Sequence, residues 1–449
     1  MTTTSPLSRR SFLAASAVAA ASVPLLGGNA KAVPRSPRPS GDPVAALRAA
    51  AHPLRTTEPT GPLWDLRPLA KSVENAAVVG VGETTHGSHE FFTMKHRVFR
   101  YLVEHKGFTT FALETGWSTG LRINDFVLHG KGDLRTIMDE EFAGAGPWYT
   151  HEWMDLFLWM RDHNLRYSRK VQFMGDDMNA PTLGKELTHK VVDYVRDRRP
   201  DLVPRFEESY ARLRSLKDFD ALVALPLAER IAINRGHGEA YDLLTTLRPE
   251  GEPEGEAFHW TLQHARSIVQ TTTLVAFDLT DAKEVSEAMK FRDGAMAENV
   301  DWWYRTTGEK VVVSAHGGHI GYIADDAERY TKTQGAFLRE RLGDRYVNLG
   351  FTFYQGSFNA TTPPDPEWKR HTLGPPVPGS NEETLDKVAS TNYYLDTRTA
   401  PAEAREWLAQ KRTTRTVGTG WPEPPYQMAL GPTFDVLIHL HAITASNRL

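Results

Sequence analysis

The stretch VVGVGETTHGSHEFF, Val78 to Phe92, runs from a β-branched apolar segment through glycine into Glu83, His86, His89 and Glu90. A short apolar run that stops at glycine and passes into a helical period reads as a buried strand feeding a helix. The strand is expected at Ala76 to Gly80. Phe91, Val98, Phe99, Leu102 and Val103 then recur at helical spacing over Glu90 to His105, with Ser88 placed to cap the start. Ionisable groups where such a strand ends suit the carboxyl edge of a parallel sheet, which is where ligands bind.

The alternation continues outward. Gly107 breaks the helix, and strands are expected at Thr109 to Leu113, Lys170 to Met174 and Lys310 to Ala315. Helices are expected at Gly120 to Leu128 and Trp153 to Tyr167. Phe351 to Phe358 and Asp435 to His441 read as later strands, the second apolar on both faces and therefore central. This predicts an α/β fold, a mainly parallel sheet flanked by helices, with its core in residues 76–182 and 308–449. Residues 183–307 carry helical runs instead: Leu183 to Arg196, Leu202 to Leu216, Ala228 to Leu247, Ala257 to Phe277 and Val285 to Tyr304. They are expected to form an all-α insertion capping the active-site edge.

The N-terminus has a different character. Ser8-Arg9-Arg10-Ser11-Phe12-Leu13 precedes an Ala-rich apolar run ending at Ala30-Lys31-Ala32, so residues 1–32 read as a twin-arginine signal peptide. The run is short against the roughly 20 apolar residues of a bilayer span, so no stable membrane insertion is expected after cleavage. The mature chain is expected outside the cytoplasm. Loss of Arg9, Arg10 and Lys31 would shift its formal charge from -4 to -7. Residues 33–75 read as an N-terminal linker, Pro-rich up to Pro62, with one short helix around Pro43 to Ala51.

Composition narrows the function. With 449 residues, 40% hydrophobic and 24% charged, the chain can bury a large core. No basic run or Lys/Arg-aromatic interleaving points to nucleic acid. The absence of cysteine excludes disulfides, thiolate zinc sites and a cysteine nucleophile. The oligomeric state is not fixed by the sequence.

Chemistry-bearing residues sit where the expected strands end: Glu83 and His86, then Glu114, then Asp176 and Asp177, then His316 and His319. Parallel strands bring such ends to one rim, and convergent titratable groups mark an active site. An imidazole backed by a carboxylate is a general base, so His86 with Glu83 or Glu114 could activate water. His316 and His319 could polarise a carbonyl or protonate a leaving oxygen, which amounts to acyl hydrolysis. Lys95, His96, His89, Asp176 and Trp117 are expected to face the substrate, and no cofactor is expected.

Three rival readings use the same stretches. His316-Gly317-Gly318-His319 with Glu83 and His86 offers zinc or manganese ligands, although His89-Glu90 and His151-Glu152 lack the second histidine of a His-Glu-x-x-His helix. Gly116-Trp117-Ser118-Thr119-Gly120 matches the G-x-S-x-G elbow, although His316-Gly317-Gly318 follows it by about 200 residues, whereas the oxyanion loop of that motif precedes the serine. A non-enzymatic binder of haem or a hydrophobic molecule could be lined by Trp148, Tyr149, Trp153, Trp302 and Trp303.

Taken together, GETTHGSHEFF, KHRVFRYLVEHKGFTTFALE, FMGDDM, FRDGAMAENVDWW and SAHGGHIGY resemble the erythromycin esterase family in order and spacing, from about Val78 to His441. The resemblance implies an α/β core with a helical addition and hydrolytic opening of macrolide lactones, generally without metal. It implies His86 as base, Glu83 and Glu114 as the acids around it, and His316 and His319 as the later pair. The implied substrate is a small hydrophobic ester or lactone. Two positions depart from the family pattern: Lys95 stands where macrolide-opening members resemble one another in having arginine, and Gly317 replaces an amide. A compact ammonium cannot reproduce a bidentate guanidinium fork. The resemblance therefore carries the reaction further than it carries erythromycin as substrate, and a biosynthetic acid-base reaction such as cyclisation stays open.

Overall fold

The computed structural model describes residues 42–143, 146–180, 182–248, 255–324, 326 and 329–449. The expected signal peptide, residues 1–32, and the linker as far as residue 41 lie outside the described residues.

The strands in chain order are β1 (His52–Pro53), β2 (Val78–Val81), β3 (Phe108–Gly116), β4 (Gln172–Asp177), β5 (Lys310–Ser314), β6 (Tyr346–Thr362), β7 (Asp365–Leu373), β8 (Tyr393–Asp396), β9 (Arg412–Thr414), β10 (Tyr426–Met428) and β11 (Val436–Ile443). Nine of them form one sheet in the order β1-β8-β11-β6-β2-β5-β3-β4, with β7 pairing to β6. The stretch from β11 to β4 is parallel throughout, and β8, β1 and β7 join antiparallel. The fold is the expected α/β class, and β11 lies inside the sheet as its two apolar faces imply.

Period-two alternation explains how the sheet buries both faces. Val79, Val81, Phe111 and Leu113 pack in one apolar cluster with Phe91, Val98 and Phe99 of the helix His89–Lys106. Val78, Ala112, Val311 and Val313 belong to the opposite cluster with Val300 and Trp303 of the helix Ala282–Thr307. Gly107 ends the first helix with φ +70°, the left-handed cap that glycine adopts without a Cβ penalty. Gly120 serves close approach instead. A Cβ there would lie 1.9 Å from the backbone nitrogen of Gly175, so the helix Trp117–His129 can sit directly on β4.

β6 is longer than expected, and β7 and β8 were not expected. β7 carries few buried side chains because it is a polar, half-exposed strand added to one end of β6. β8 has just four residues, too few for a periodic pattern. Between β4 and β5 the chain forms the helices Lys185–Arg198, Val203–Ser215, Phe219–Val223, Leu227–Thr245, Glu256–Val275 and Ala282–Thr307. Among the described residues no helix is long and apolar enough to cross a membrane.

Candidate active site

β2 leads through Gly82 into Glu83, which is wholly buried, and His86 follows at the rim. Glu83 Oε1 lies 2.7 Å from His86 Nδ1, and Glu83 Oε2 lies 2.5 Å from the Lys95 ammonium. Lys95, also wholly buried, donates to Ser314 Oγ at 3.0 Å and to the Ala315 carbonyl at 3.2 Å. Burial would raise the Glu83 carboxyl, but the Lys95 charge and the His86 contacts outweigh it and hold the group below its ordinary range. An ionised Glu83 accepts the Nδ1–H of His86, which leaves the Nε2 lone pair of that ring free to act as a base.

His316 and His319 follow β5 on the short helix Gly317–Ile320. His316 Nδ1 accepts the Gly318 N–H at 3.1 Å, so the neutral ring carries its proton on Nε2, 3.3 Å from Thr416 Oγ1. The His86 and His316 rings are 5.1 Å apart, and the edge of Trp148 packs against His86 at 5.3 Å. Gly317 donates to the Glu83 carbonyl at 2.7 Å, and a Cβ on it would meet that oxygen at 3.0 Å. The short side of the His-Gly-Gly-His turn thus lies directly on the β2 loop.

His319 is held by Asp293 Oδ1 at 2.8 Å from Nδ1 and by Glu114 Oε1 at 3.4 Å from Nε2. Burial would lower its pKa, but those two carboxylates push it up to about 9, making it an imidazolium at neutral pH. Glu114, at the end of β3, also accepts the His316 N–H at 3.0 Å and the Arg292 guanidinium at 2.9 Å. Against the effect of burial, the charges of His319, His86 and Arg292 and the His316 N–H keep Glu114 far below the usual carboxylate range. Arg292 is also paired with Asp177 at the end of β4.

These groups line a two-lobed cavity. One lobe meets His86, His316, His319 and Tyr330, and Glu423 borders it from the loop between β9 and β10. The other is lined by Phe142, Trp148, Met178, Phe219, Leu274 and Met289. His86, Glu114, Arg292 and Thr419 border both. The pairing of a polar lobe with an apolar one suits a ligand with one apolar face.

The family model for erythromycin esterase matches residues 103–443. The chain belongs to the erythromycin esterase family. The match begins beyond Glu83 and His86, but pairwise similarity reaches further. Erythromycin esterase type II of Escherichia coli is 26% identical over 377 residues, which is 78% of this chain and 88% of that protein. A solved succinoglycan biosynthesis protein is 31% identical with a TM-score of 0.80, covering 91% of this chain and 98% of its own. An erythromycin esterase mutant in its open conformation shares the fold, with a TM-score of 0.72 at 19% identity over 88% and 97% of the two chains. Like the esterases named among its relatives, this family member is an ester hydrolase.

Within that frame the structure brings Glu83, His86, Glu114, His316 and His319 to one rim and moves all five expected substrate contacts away from it. Lys95 lies behind Glu83 with no exposed surface, so it positions the acid and touches no ligand. His96 is buried against Trp159, and burial pulls its pKa down to about 3. His89 pairs with Glu152 at 2.7 Å and Glu58 at 3.0 Å, away from the cavity, and its pKa rises to about 9. Trp117 donates to His264 Nδ1 at 3.2 Å within a core of Trp260, Trp302 and Trp303. Asp176 points the other way from its neighbour and is bonded by Gln334 at 2.7 Å, while Asp177 lines the cavity. Alternation along β4 was the signal that could have separated the two aspartates.

Arg292 and Asp293 were missed as site residues. They stand on the long helix before β5, Arg292 115 positions after the Asp177 it pairs with, and their stretch, FRDGAMAENVDWW, ends no strand and so offered no rim position to read. Ser118 is no elbow nucleophile in this geometry. It is buried within the helix Trp117–His129, with Thr182 Oγ1 at 3.4 Å as its hydroxyl neighbour. Leu183 is the one non-glycine residue at positive φ among the described residues, so Ser118 lacks the strained turn that the elbow requires.

Proposed function

We propose that this hydrolase is exported and opens a macrolide-type lactone or a similar hydrophobic ester by histidine-activated water. The observation that carries the reading is the chain Lys95–Glu83–His86, which fixes the protonated nitrogen of His86 inward and leaves Nε2 at the cavity. In this mechanism Nε2 takes a proton from water as the water oxygen attacks the substrate carbonyl, and Glu83 stabilises the resulting imidazolium. The carbonyl oxygen gains negative charge and accepts from the Nε2–H of His316 and from Arg292. His319, already protonated, supplies a proton to the departing alkoxide, and Glu114 and Asp293 hold it in place.

Macrolide as the substrate class is supported by the name of the Escherichia coli relative and by the apolar lobe from Phe142 to Met289. Metal independence is supported by the occupancy of the acids: Arg292 engages Glu114 and Asp177, and Lys95 engages Glu83. Among the described residues no group of three His, Asp or Glu side chains is arranged to hold a metal ion. Export rests on the twin-arginine pattern of residues 1–32.

Similarity to the succinoglycan biosynthesis protein favours a second reading, the same acid-base pair serving a biosynthetic step. Incubation with macrolides and simple esters in ¹⁸O-labelled water separates the two. The hydrolase adds one labelled water to its product, while cyclisation or transfer adds none. His86→Ala should lower turnover by about 10²–10⁴, the usual contribution of a general base, and unchanged turnover would refute the assignment.

A further inference from the structure

The segment Thr444–Leu449 follows β11 and lines neither lobe of the catalytic cavity. Its backbone nevertheless joins the two stretches that carry His86 and Trp148. The Ser446 N–H donates to the Gly87 carbonyl at 2.9 Å, the His89 N–H donates to the Thr444 carbonyl at 2.9 Å, and Ala445 bridges Ser88 between them. Past Ser446 the chain crosses to the second stretch. There the His151 N–H donates to the Asn447 carbonyl at 2.8 Å, Arg448 bridges Thr150, and the Leu449 N–H donates to the Tyr149 carbonyl at 3.2 Å. Because the edge of Trp148 packs against the His86 ring, one segment holds the backbone on both sides of that contact.

Two asparagines fix the register. Asn447 donates to Glu152 Oε1 from its side chain at 2.8 Å and from its backbone at 3.0 Å, and the same oxygen lies 2.7 Å from His89 Nδ1. Asn359 of β6 donates its side-chain amide to the Ser446 carbonyl at 2.7 Å and its backbone N–H to the Gly87 carbonyl at 2.9 Å. A Cβ on Gly87 would lie 1.9 Å from the Asn359 carbonyl oxygen, so the loop rests flush on β6. Gly87 directly follows His86 in the chain, and a backbone shift there swings the imidazole against both Glu83 and the cavity.

We propose that Ser446 and Asn447 are positioning residues for the hydrolytic reaction, holding the Gly87 and Trp148 stretches so that His86 keeps its bond to Glu83 and presents Nε2 to the cavity. The inference rests on His86 as the base. Ser446→Pro deletes the N–H that meets Gly87, whereas Ser446→Ala keeps it. With a hydrolysed ester, Ser446→Pro should lower kcat about tenfold to a hundredfold with KM within about threefold, the pattern of a base displaced by a segment that touches no ligand. Ser446→Ala should stay near the native kcat. Asn447 is exposed, so Asn447→Ala folds and should lower kcat at unchanged KM, carrying the test should Ser446→Pro not fold. Nitrogen-15 spectra of the histidine rings, with His86 assigned by its loss in His86→Ala, read the same effect without turnover. The neutral His86 ring should show Nδ1 protonated and Nε2 bare in the native chain, and the two nitrogens should move toward a tautomer average in Ser446→Pro and Asn447→Ala. Native kcat in folded Ser446→Pro or in Asn447→Ala, an equal loss in Ser446→Ala, or His86 signals that stay in place as kcat falls overturns the proposal. A chain that hydrolyses no ester still reports the ring signals, so failure of the hydrolase reading and failure of this one are distinguishable.

Discussion

Replacing Lys95 by methionine keeps the reach of the side chain and deletes the one charge facing Glu83 Oε2. Both side chains have no exposed surface and their charged atoms are 2.5 Å apart, so the substitution strands a carboxylate in a dry site. Breaking a buried pair by removing one partner costs about 3–5 kcal/mol, a large part of the stability of a typical domain. The direction of the pH dependence should also change. In the native chain the Glu83 carboxyl is held below its ordinary value of 4.5, so it contributes stability above that pH that is lost as pH falls through the lower folded value. Without Lys95 burial dominates, the folded value climbs above 4.5, and stability should instead fall as pH rises through the new value. Catalysis should follow, since a protonated Glu83 no longer fixes the proton of His86 on Nδ1, and the acid limb of kcat should move to higher pH. Urea unfolding and kcat profiles between pH 4 and 8 measure both effects. Lys95→Met/Glu83→Gln removes both charges and should regain most of the stability but little of the activity. A single variant that keeps native stability and an unshifted pH profile would refute the role given to the pair.

Ser118→Ala should keep esterase activity within about threefold, because its hydroxyl is engaged within the fold by Thr182 and Glu186 and not by the groups at the catalytic rim; collapse of activity with a trapped acyl-enzyme would restore the elbow serine. Protein dialysed against a chelator should keep its turnover, measured beside a sample returned to zinc or manganese. His319 has a folded pKa raised from 6.5 to about 9, so its contribution to stability should be complete below pH 6.5 and lost as pH rises through 9. Urea midpoints between pH 6 and 10 should show that decline, and His319→Gln should flatten it. Activity that depends on the imidazolium should fall over the same range.

Legibility in the sequence followed the range of each physical signal. Val78–Val81 and Val436–Ile443 announce themselves because strands buried on both faces are mostly apolar, with the buried His439 bonded to Thr352 and Asp386 as the exception in the second. The polar strand β7 obeys no such rule and leaves no pattern. Glu83, His86, Glu114, His316 and His319 were readable because a parallel sheet converts the location of a strand end into a location in space. Lys95, His96 and His89 sit on a helix whose rotation about its axis decides everything. Neighbours in sequence point about 100° apart, so proximity to His86 along the chain did not imply proximity to the ligand. Arg292 depends on how a long helical segment returns to the sheet edge, a tertiary fact with no local signature.

The charges in the cavity explain why so many ionisable groups can share one rim. The carboxylates Glu83, Glu114, Asp177 and Asp293 meet Lys95, Arg292 and the His319 imidazolium at ion-pair distance. Asp176, next to Asp177, escapes this set because burial and its neighbour's charge push it toward the neutral acid, which suits its place under the site. His86 and His316 are then the groups whose proton positions are set by hydrogen bonds: Nδ1–H toward Glu83 in one, Nε2–H toward the cavity in the other. Attack by water places a positive charge on His86 as a negative charge develops on the carbonyl oxygen. The net charge of the cavity does not change during that step, and the dipoles that respond to it are already oriented, so little reorganisation is required. A cation lost from this set leaves an acid uncompensated within a few ångströms of the base, which is why Lys95 matters to catalysis although it touches no substrate.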